Sequence, residues 1–262
     1  KWFAGWIHRE GWRYPLLLFL ILLVCFGIRY YFASIINLHL DDGTMLYDAN
    51  LILQGKIPFK DYITREPGYL YSLALFIKAF GYSIMTGRLM DIIAEVVICF
   101  FVFKIGNELY NKNVGLVAAL IYCLSPLVIY NTHNALNGLP ETPSVAWVPI
   151  AVYFLILAIK GNKLKHYLLS GLFIGIAMLF YRGQLTYLIL CPLALIYIHP
   201  WEFKNLFRNT ATVLLGFCIP VVPVLAYFVL QTDYHWMLNQ YDPCFIPTVT
   251  HVGVPGSETI PY

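Results

Sequence analysis

Two adjacent aspartates, Asp41 and Asp42, close the first long apolar run, and a polar loop follows them: HLDDGTMLYDANLILQGKIPFKDYITREPGYLYSLALFIKAFG. A carboxylate pair at the lip of a hydrocarbon-embedded domain costs solvation free energy, so acids at such a place point to a task. The same loop interleaves acids, bases and aromatics, the side chains needed to hold a charged lipid headgroup. A purely structural reading competes. Two acids ahead of Gly43 and a helical pattern of Met45, Leu46, Ala49, Leu51 and Ile52 also describe a helix N-terminus. Residue type alone does not choose between the two.

Four more groups carry comparable chemistry. In Arg65-Glu66-Pro67-Gly68-Tyr69, the Pro-Gly pair breaks the chain and starts a new helix. An arginine ahead of that break can grip a phosphate bidentately, although a Pro-initiated helix that happens to carry a charge pair explains the same residues. Arg88, Asp91 and Glu95 share one helical face in the outer half of the second span. Charges inside a span pair with one another, so an internal salt-bridge cluster orienting that helix is expected. In NTHNALNGLPETPSVAW, Asn131, His133, Asn134 and Asn137 precede Pro140, and Glu141 opens a helix, where the dipole also favours a carboxylate. If their helices are neighbours, Asp41, Asp42 and Glu141 supply three hard oxygen ligands suited to Mg2+ or Mn2+, whereas no His/Cys spacing suits zinc. Finally, Arg182 interrupts GLFIGIAMLFYRGQLTYLILCPL at its outer end and calls for an anion, either a lipid phosphate or a loop carboxylate.

These residues need a scaffold, and composition identifies it. Of the 262 residues, 60% are hydrophobic and only 12% charged, half of what a soluble domain carries. The solvent is therefore a bilayer, and long continuous apolar runs make the fold all-α and polytopic. About seven spans are expected by the ~20-residue criterion, over roughly 14–36, 85–106, 113–131, 142–160, 166–181, 184–199 and 209–230. The piece at 67–80 is too short to span and reads as a surface or re-entrant helix. Residues 1–13 alternate Trp with bases, as an interfacial anchor does.

With the N-terminus cytoplasmic, the short basic loops at 104–112 and 160–165 share that side, which satisfies the positive-inside rule. The loop at 37–84 and the tail at 231–262 then lie outside, together with most of the acids. Because acids contribute little to topology, their asymmetry is a sign of outer-face function. A net charge of +3 leaves no nucleic-acid footprint. Five of the six cysteines fall in apolar runs, where they behave as small buried hydrophobes, and no disulfide framework is expected. The chain opens on Lys1 and closes on SETIPY, and continuation beyond both ends is expected.

The order of these elements resembles the GT-C class of membrane glycosyltransferases, within it the protein O-mannosyltransferase and aminoarabinose-transferase-like group. The resemblance rests on Asp41-Asp42 after the first helix, then Gly55-Lys56-Ile57-Pro58-Phe59-Lys60-Asp61, Pro67-Gly68-Tyr69 and Phe80-Gly81. Arg88 near the second helix start, Glu141 opening the fourth and Arg182 after a Gly-rich fifth extend it. Asp42 stands where the group usually has Glu, and Glu66-Pro67 replaces the commoner double proline.

The resemblance implies a sugar donor linked to polyprenyl or dolichyl phosphate and an acceptor protein, lipid or glycan on the outer face. Asp41 would then be the base. Asp42 and Glu141 would orient the site or bind the divalent cation, and Arg65 and Arg182 would hold the phosphate. Glu66, Tyr69, Arg88 and His133 are the remaining substrate-binding candidates. A transporter or lipid flippase, or a non-catalytic membrane subunit, are the competing classes. Clustering of the polar groups at one face and the absence of an internal repeat weigh against transport.

Overall fold

The computed structural model describes residues 12–35, 40–62, 64, 66–125, 141–198 and 203–231. The expected N-terminal anchor, Arg65, the polar stretch with His133, and the C-terminal tail lie largely or wholly outside these residues. So do the side chains of Asp41, Asp42 and Glu141.

Nine α-helices are described: α1 (Arg13–Ile35), α2 (Leu40–Leu53), α3 (Pro67–Phe80), α4 (Ile84–Leu109), α5 (Lys112–Leu124), α6 (Glu141–Gly161), α7 (Leu164–Phe180), α8 (Thr186–Ile198) and α9 (Phe203–Gln231). A 3-10 turn, Arg182–Leu185, links α7 to α8. Local chemistry sets several boundaries. Ser83 caps α4 by accepting from the Thr86 amide at 3.2 Å, and Asn111 caps α5 by accepting from the Val114 amide at 3.0 Å. Pro67 occupies the first turn of α3, where its missing N–H costs nothing.

Among the described residues, three helices are long and apolar enough to cross a bilayer: α1, and α6 and α9 over Pro143–Gly161 and Asn205–Leu230. The apolar helices α5, α7 and α8 are shorter, and α4 interrupts its hydropathy with Arg88, Asp91, Glu95 and Lys104. The outer surface of α1 is apolar, with Leu16, Leu17, Phe19, Leu20, Leu23 and Val24 all exposed. This is the inverse of a water-soluble surface and fits lipid as solvent.

The bundle is built by close helix pairing. α9 packs most extensively on α7, α7 on α6, and α4 on both α5 and α6. Between α7 and α9, Gly171 abuts the Val213 carbonyl and Gly216 the Leu168 carbonyl, while a Cβ on Gly175 would lie 2.6 Å from the Phe217 oxygen. Small residues let two backbones approach where lipid supplies no hydrophobic drive. Gly106 and Gly115 do the same between α4 and α5.

The loop helices are docked rather than loose. Met45, Leu46 and Ala49 of α2 share one buried cluster with Tyr69, Leu70, Leu73, Ala74 and Ile77 of α3, Met90 of α4 and Phe180 of α7. Cys25, Cys99, Cys123 and Cys191 are buried free thiols, as small hydrophobes should be. Cys218 departs from that expectation: it is exposed on α9, on an apolar surface flanked by exposed Leu214, Leu215 and Ile219.

Candidate functional site

Asp41 and Asp42 lie inside the first turn of α2, which begins at Leu40, rather than ahead of it as caps. Carboxylates in a first turn complement the positive end of the helix dipole. Asp48 lies two turns after Asp41 in the same helical register, on the buried face of α2.

The segment after α2 is a tight, internally bonded turn. Gly55 takes a positive φ of 85° and Phe59 one of 64°. Left-handed backbone costs a non-glycine residue roughly 1–2 kcal/mol, so something must hold Phe59 there. Its ring is buried edge-to-face against Phe228 of α9, with centroids 5.5 Å apart. Its amide donates to the Tyr62 carbonyl at 2.9 Å, and Asp61 Oδ2 accepts from the Ile57 amide at 2.7 Å. The Gly-Lys-Ile-Pro-Phe-Lys-Asp motif is thus a plug that docks the loop on α9. Beyond it, Thr64 Oγ1 donates to Asp48 Oδ2 at 2.5 Å, and the Tyr62 hydroxyl donates to the Asp48 carbonyl at 2.9 Å. Burial pushes the Asp48 carboxyl above its ordinary range, with the Thr64 bond working the other way. Burial foremost, then the Asp48 charge, also pushes the Tyr62 phenol up.

The chain then reaches the Arg-Glu-Pro-Gly-Tyr motif, where the loop meets the bundle. Glu66 Oε1 accepts a long hydrogen bond, 3.5 Å, from the backbone N–H of Arg182. A Cβ on Gly68 would sit 2.6 Å from the Leu179 carbonyl oxygen, so only glycine allows the N-terminus of α3 to rest on the end of α7. From the same turn, Gln184 Nε2 donates to Ser144 Oγ at 2.8 Å, both residues being buried. Ser144 lies one turn after Glu141, at the start of α6. The motif of the loop, the residue after α7 and the opening of α6 therefore meet in one place. Of the residues singled out from sequence, Glu66 and Arg182 are brought together directly, and the backbone of Glu141 stands close by.

Beside this junction is an apolar cavity of 460 Å³, lined among others by Pro67, Gly68, Tyr71, Leu179, Pro223 and Tyr227. It is open on one side and runs between α3, the end of α7 and the end of α9. Burial, then the neighbouring Tyr227, pushes the Tyr71 phenol up, so it is a neutral donor at this wall. Among the described residues, no group of three or more His, Cys, Asp or Glu is arranged to hold a metal ion.

Two candidates have packing positions. Tyr69 is buried in the cluster under the loop. Arg88 is also buried, and its Nη1 donates to the Ala33 carbonyl at 2.6 Å, holding the end of α1. The expected cluster of Arg88, Asp91 and Glu95 is buried as a face, and Glu95 also meets a cation on another helix. Arg29 of α1, fully buried, places Nη2 3.3 Å from Glu95 Oε2. The Tyr122 hydroxyl of α5 donates to the same oxygen at 2.6 Å, and the Arg29 guanidinium lies 5.7 Å from the Tyr122 ring centroid. Sequence reasoning gave Arg29 no role. The available signal was an arginine inside an otherwise apolar span, which must face the bundle and meet a carboxylate. Asp48 was likewise missed, although its register with Asp41 was readable.

No curated protein and no solved structure matches the chain. A family description does: dolichyl-phosphate-mannose-protein mannosyltransferase, over residues 64–232. The matched region starts at Thr64 and so takes in Glu66, Arg88, Glu141 and Arg182, while the aspartate pair precedes it. It covers well over half of the chain and agrees with the resemblance carried by the motifs. Matched across the Glu66–Arg182 junction and every helix that frames it, the chain belongs to the dolichyl-phosphate-mannose-protein mannosyltransferase family, membrane glycosyltransferases of the GT-C type.

Proposed function

We propose that this chain transfers a sugar from a polyprenyl- or dolichyl-phosphate-linked donor to a hydroxyl of a protein, lipid or glycan acceptor on the outer face of the membrane. In this reading about seven helices cross a core of roughly 30 Å, the N-terminus is cytoplasmic, and the α2–α3 loop faces outward. The observation that carries the reading is the contact of Glu66 with Arg182 beside an apolar cavity. A turn that carries an arginine next to an apolar groove has the two-part chemistry that a lipid phosphate needs. The cavity of 460 Å³ takes the first isoprene units, and Arg182, with Arg65, takes the phosphate.

The acceptor oxygen attacks the anomeric carbon with inversion as the bond from that carbon to the phosphate oxygen breaks. The proton of the acceptor hydroxyl passes to Asp41 acting as general base. The leaving polyprenyl phosphate keeps the bonding electron pair, and the guanidinium groups of Arg65 and Arg182 stabilise its growing charge. Asp42 and Glu141 orient the acceptor or hold a divalent cation. Hard carboxylate oxygens suit Mg2+ or Mn2+, which would add charge stabilisation at the phosphate. Tyr69 and Arg88, both buried, support the walls of the site.

The test is sugar transfer by the purified chain in proteoliposomes supplied with labelled polyprenyl-phosphate sugar. Asp41→Asn abolishes transfer and leaves the unfolding transition unchanged; a variant that turns over normally removes Asp41 as base. Arg182→Ala weakens donor binding by about tenfold or more, the worth of one charge-assisted hydrogen bond. Unchanged donor affinity removes the phosphate role. Donor that crosses the bilayer with no transfer to any acceptor establishes the flippase reading instead.

A further inference from the structure

Asp48 is a buried acid in a helix face otherwise made of Met45, Leu46 and Ala49. Burying a carboxylate is costly unless it is hydrogen-bonded, and an apolar residue there would extend the cluster. The bonds that Asp48 makes are therefore its reason to be there. Its side chain accepts from Thr64 and its backbone carbonyl accepts from Tyr62, so one residue of α2 grips the returning segment twice. One residue separates Thr64 from Glu66. Two residues of extended chain span at most about 7 Å, so fixing Thr64 confines Glu66 to a small volume. Glu66 in turn meets the amide of Arg182.

We propose that Asp48 is a positioning residue: through Thr64 it holds the 56–66 segment on α2, so that Glu66 reaches the Arg182 amide and the donor-phosphate site is assembled. The phosphate part of this statement rests on the donor reading above; the clamp does not. The bland alternative is a buried acid neutralised by a nearby hydroxyl, with no influence beyond its own turn. The two differ in what Arg182, far away in sequence, feels when Asp48 is changed. Because Asp48 acts as an acceptor, an amide oxygen at the same place serves equally well. The role does not require the negative charge.

The experiment uses the full chain in nanodiscs, with two readouts. The first is amide hydrogen exchange over 181–185 and 56–64, with 90–99 in α4 as the folding control. The second is the donor KM and kcat for a labelled polyprenyl-phosphate sugar. Asp48→Ala and Thr64→Val each speed exchange over 181–185 and raise the donor KM by about tenfold, the loss of one buried hydrogen bond. The kcat falls as well, because Arg182 stabilises the charge growing on the leaving phosphate, and the double variant is no worse than either single one, as expected for residues acting through a shared bond. Asp48→Asn and Thr64→Ser stay close to wild type in both readouts, and they carry the test if the alanine variant fails to fold.

Unchanged exchange over 181–185 in Thr64→Val overturns the proposal, as does an Asp48→Asn variant that loses activity with its donor KM intact. Additive effects of Asp48→Ala and Thr64→Val also overturn it. If wild type does not use the polyprenyl-phosphate donor, yet Asp48→Ala still speeds exchange over 181–185, the donor reading fails and the clamp stands.

Discussion

Replacing Arg29 with methionine removes a guanidinium that is fully buried between α1, α4 and α5. Methionine fills much of the same volume, so the change reports on charge and hydrogen bonding more than on a cavity. Three polar contacts disappear, the ion pair to Glu95 Oε2 at 3.3 Å and bonds to the carbonyls of Cys25 at 3.4 Å and Cys123 at 3.3 Å, together with the guanidinium's approach to the Tyr122 ring. All three are long, so the lost bonds alone are modest. Most of the cost comes from the Glu95 carboxylate, which stays buried after losing the Arg29 cation and keeps the hydrogen bond from Tyr122. Breaking a buried pair from one side costs about 3–5 kcal/mol.

Glu95→Gln leaves the converse, a buried guanidinium, and carries a similar cost. The double variant Arg29→Met/Glu95→Gln leaves neither charge uncompensated and recovers about 2–3 kcal/mol of the sum of the two single losses. Tyr122→Phe removes only the 2.6 Å bond to Glu95, worth about 1.5–3 kcal/mol for a charged acceptor. The assay is reversible unfolding in mixed micelles by denaturing-detergent titration, followed by helical circular dichroism. A methionine variant within about 0.5 kcal/mol of wild type, in the range of an ordinary surface change, refutes the reasoning, as do additive single effects.

Glycines separate by position. Gly175→Ala drives a Cβ to within 2.6 Å of the Phe217 carbonyl and destabilises by about 1–3 kcal/mol in the same assay, whereas Gly27→Ala meets nothing within 4 Å and is neutral or stabilising by up to about 1 kcal/mol. Equal effects at the two sites would show that α7 and α9 are not in close contact. For Asp48 the sign follows from its raised carboxyl. The folded state holds the proton more tightly than the unfolded one. Its contribution is therefore fully present below the unfolded value of about 3.9 and is lost as pH rises through the folded value. Asp48→Asn removes this slope and is at least as stable as wild type at neutral pH. A titration of unfolding against pH that keeps the slope in the variant contradicts this assignment.

How much of the site was readable follows from where each part of it is decided. The helix predicted at 67–80 is found as Pro67–Phe80, because proline at the first turn and a glycine with φ of 87° just past the end are local signals. The motif around Phe59 was recognisable as a pattern, but its work was not. The aromatic partner that holds its strained backbone, Phe228, lies on the last described helix. The charged face of α4 was legible as a face, since spacing alone places Arg88, Asp91 and Glu95 together.

What the sequence determined by itself is the solvent, the helices and their ends, because composition, apolar run length, Pro, Gly and capping residues act within a few positions of where they stand. What only the tertiary structure decided is which distant residues meet. Glu95 pairs with a residue 66 positions away and Glu66 with one 116 positions away. Such pairings depend on the rotation and depth of each helix against its neighbours. Those are set where Gly171, Gly175 and Gly216 let α7 and α9 close, and where Gly68 lets α3 rest on α7. No local signal carries that information, since a glycine that allows contact looks the same in sequence as one that faces open space.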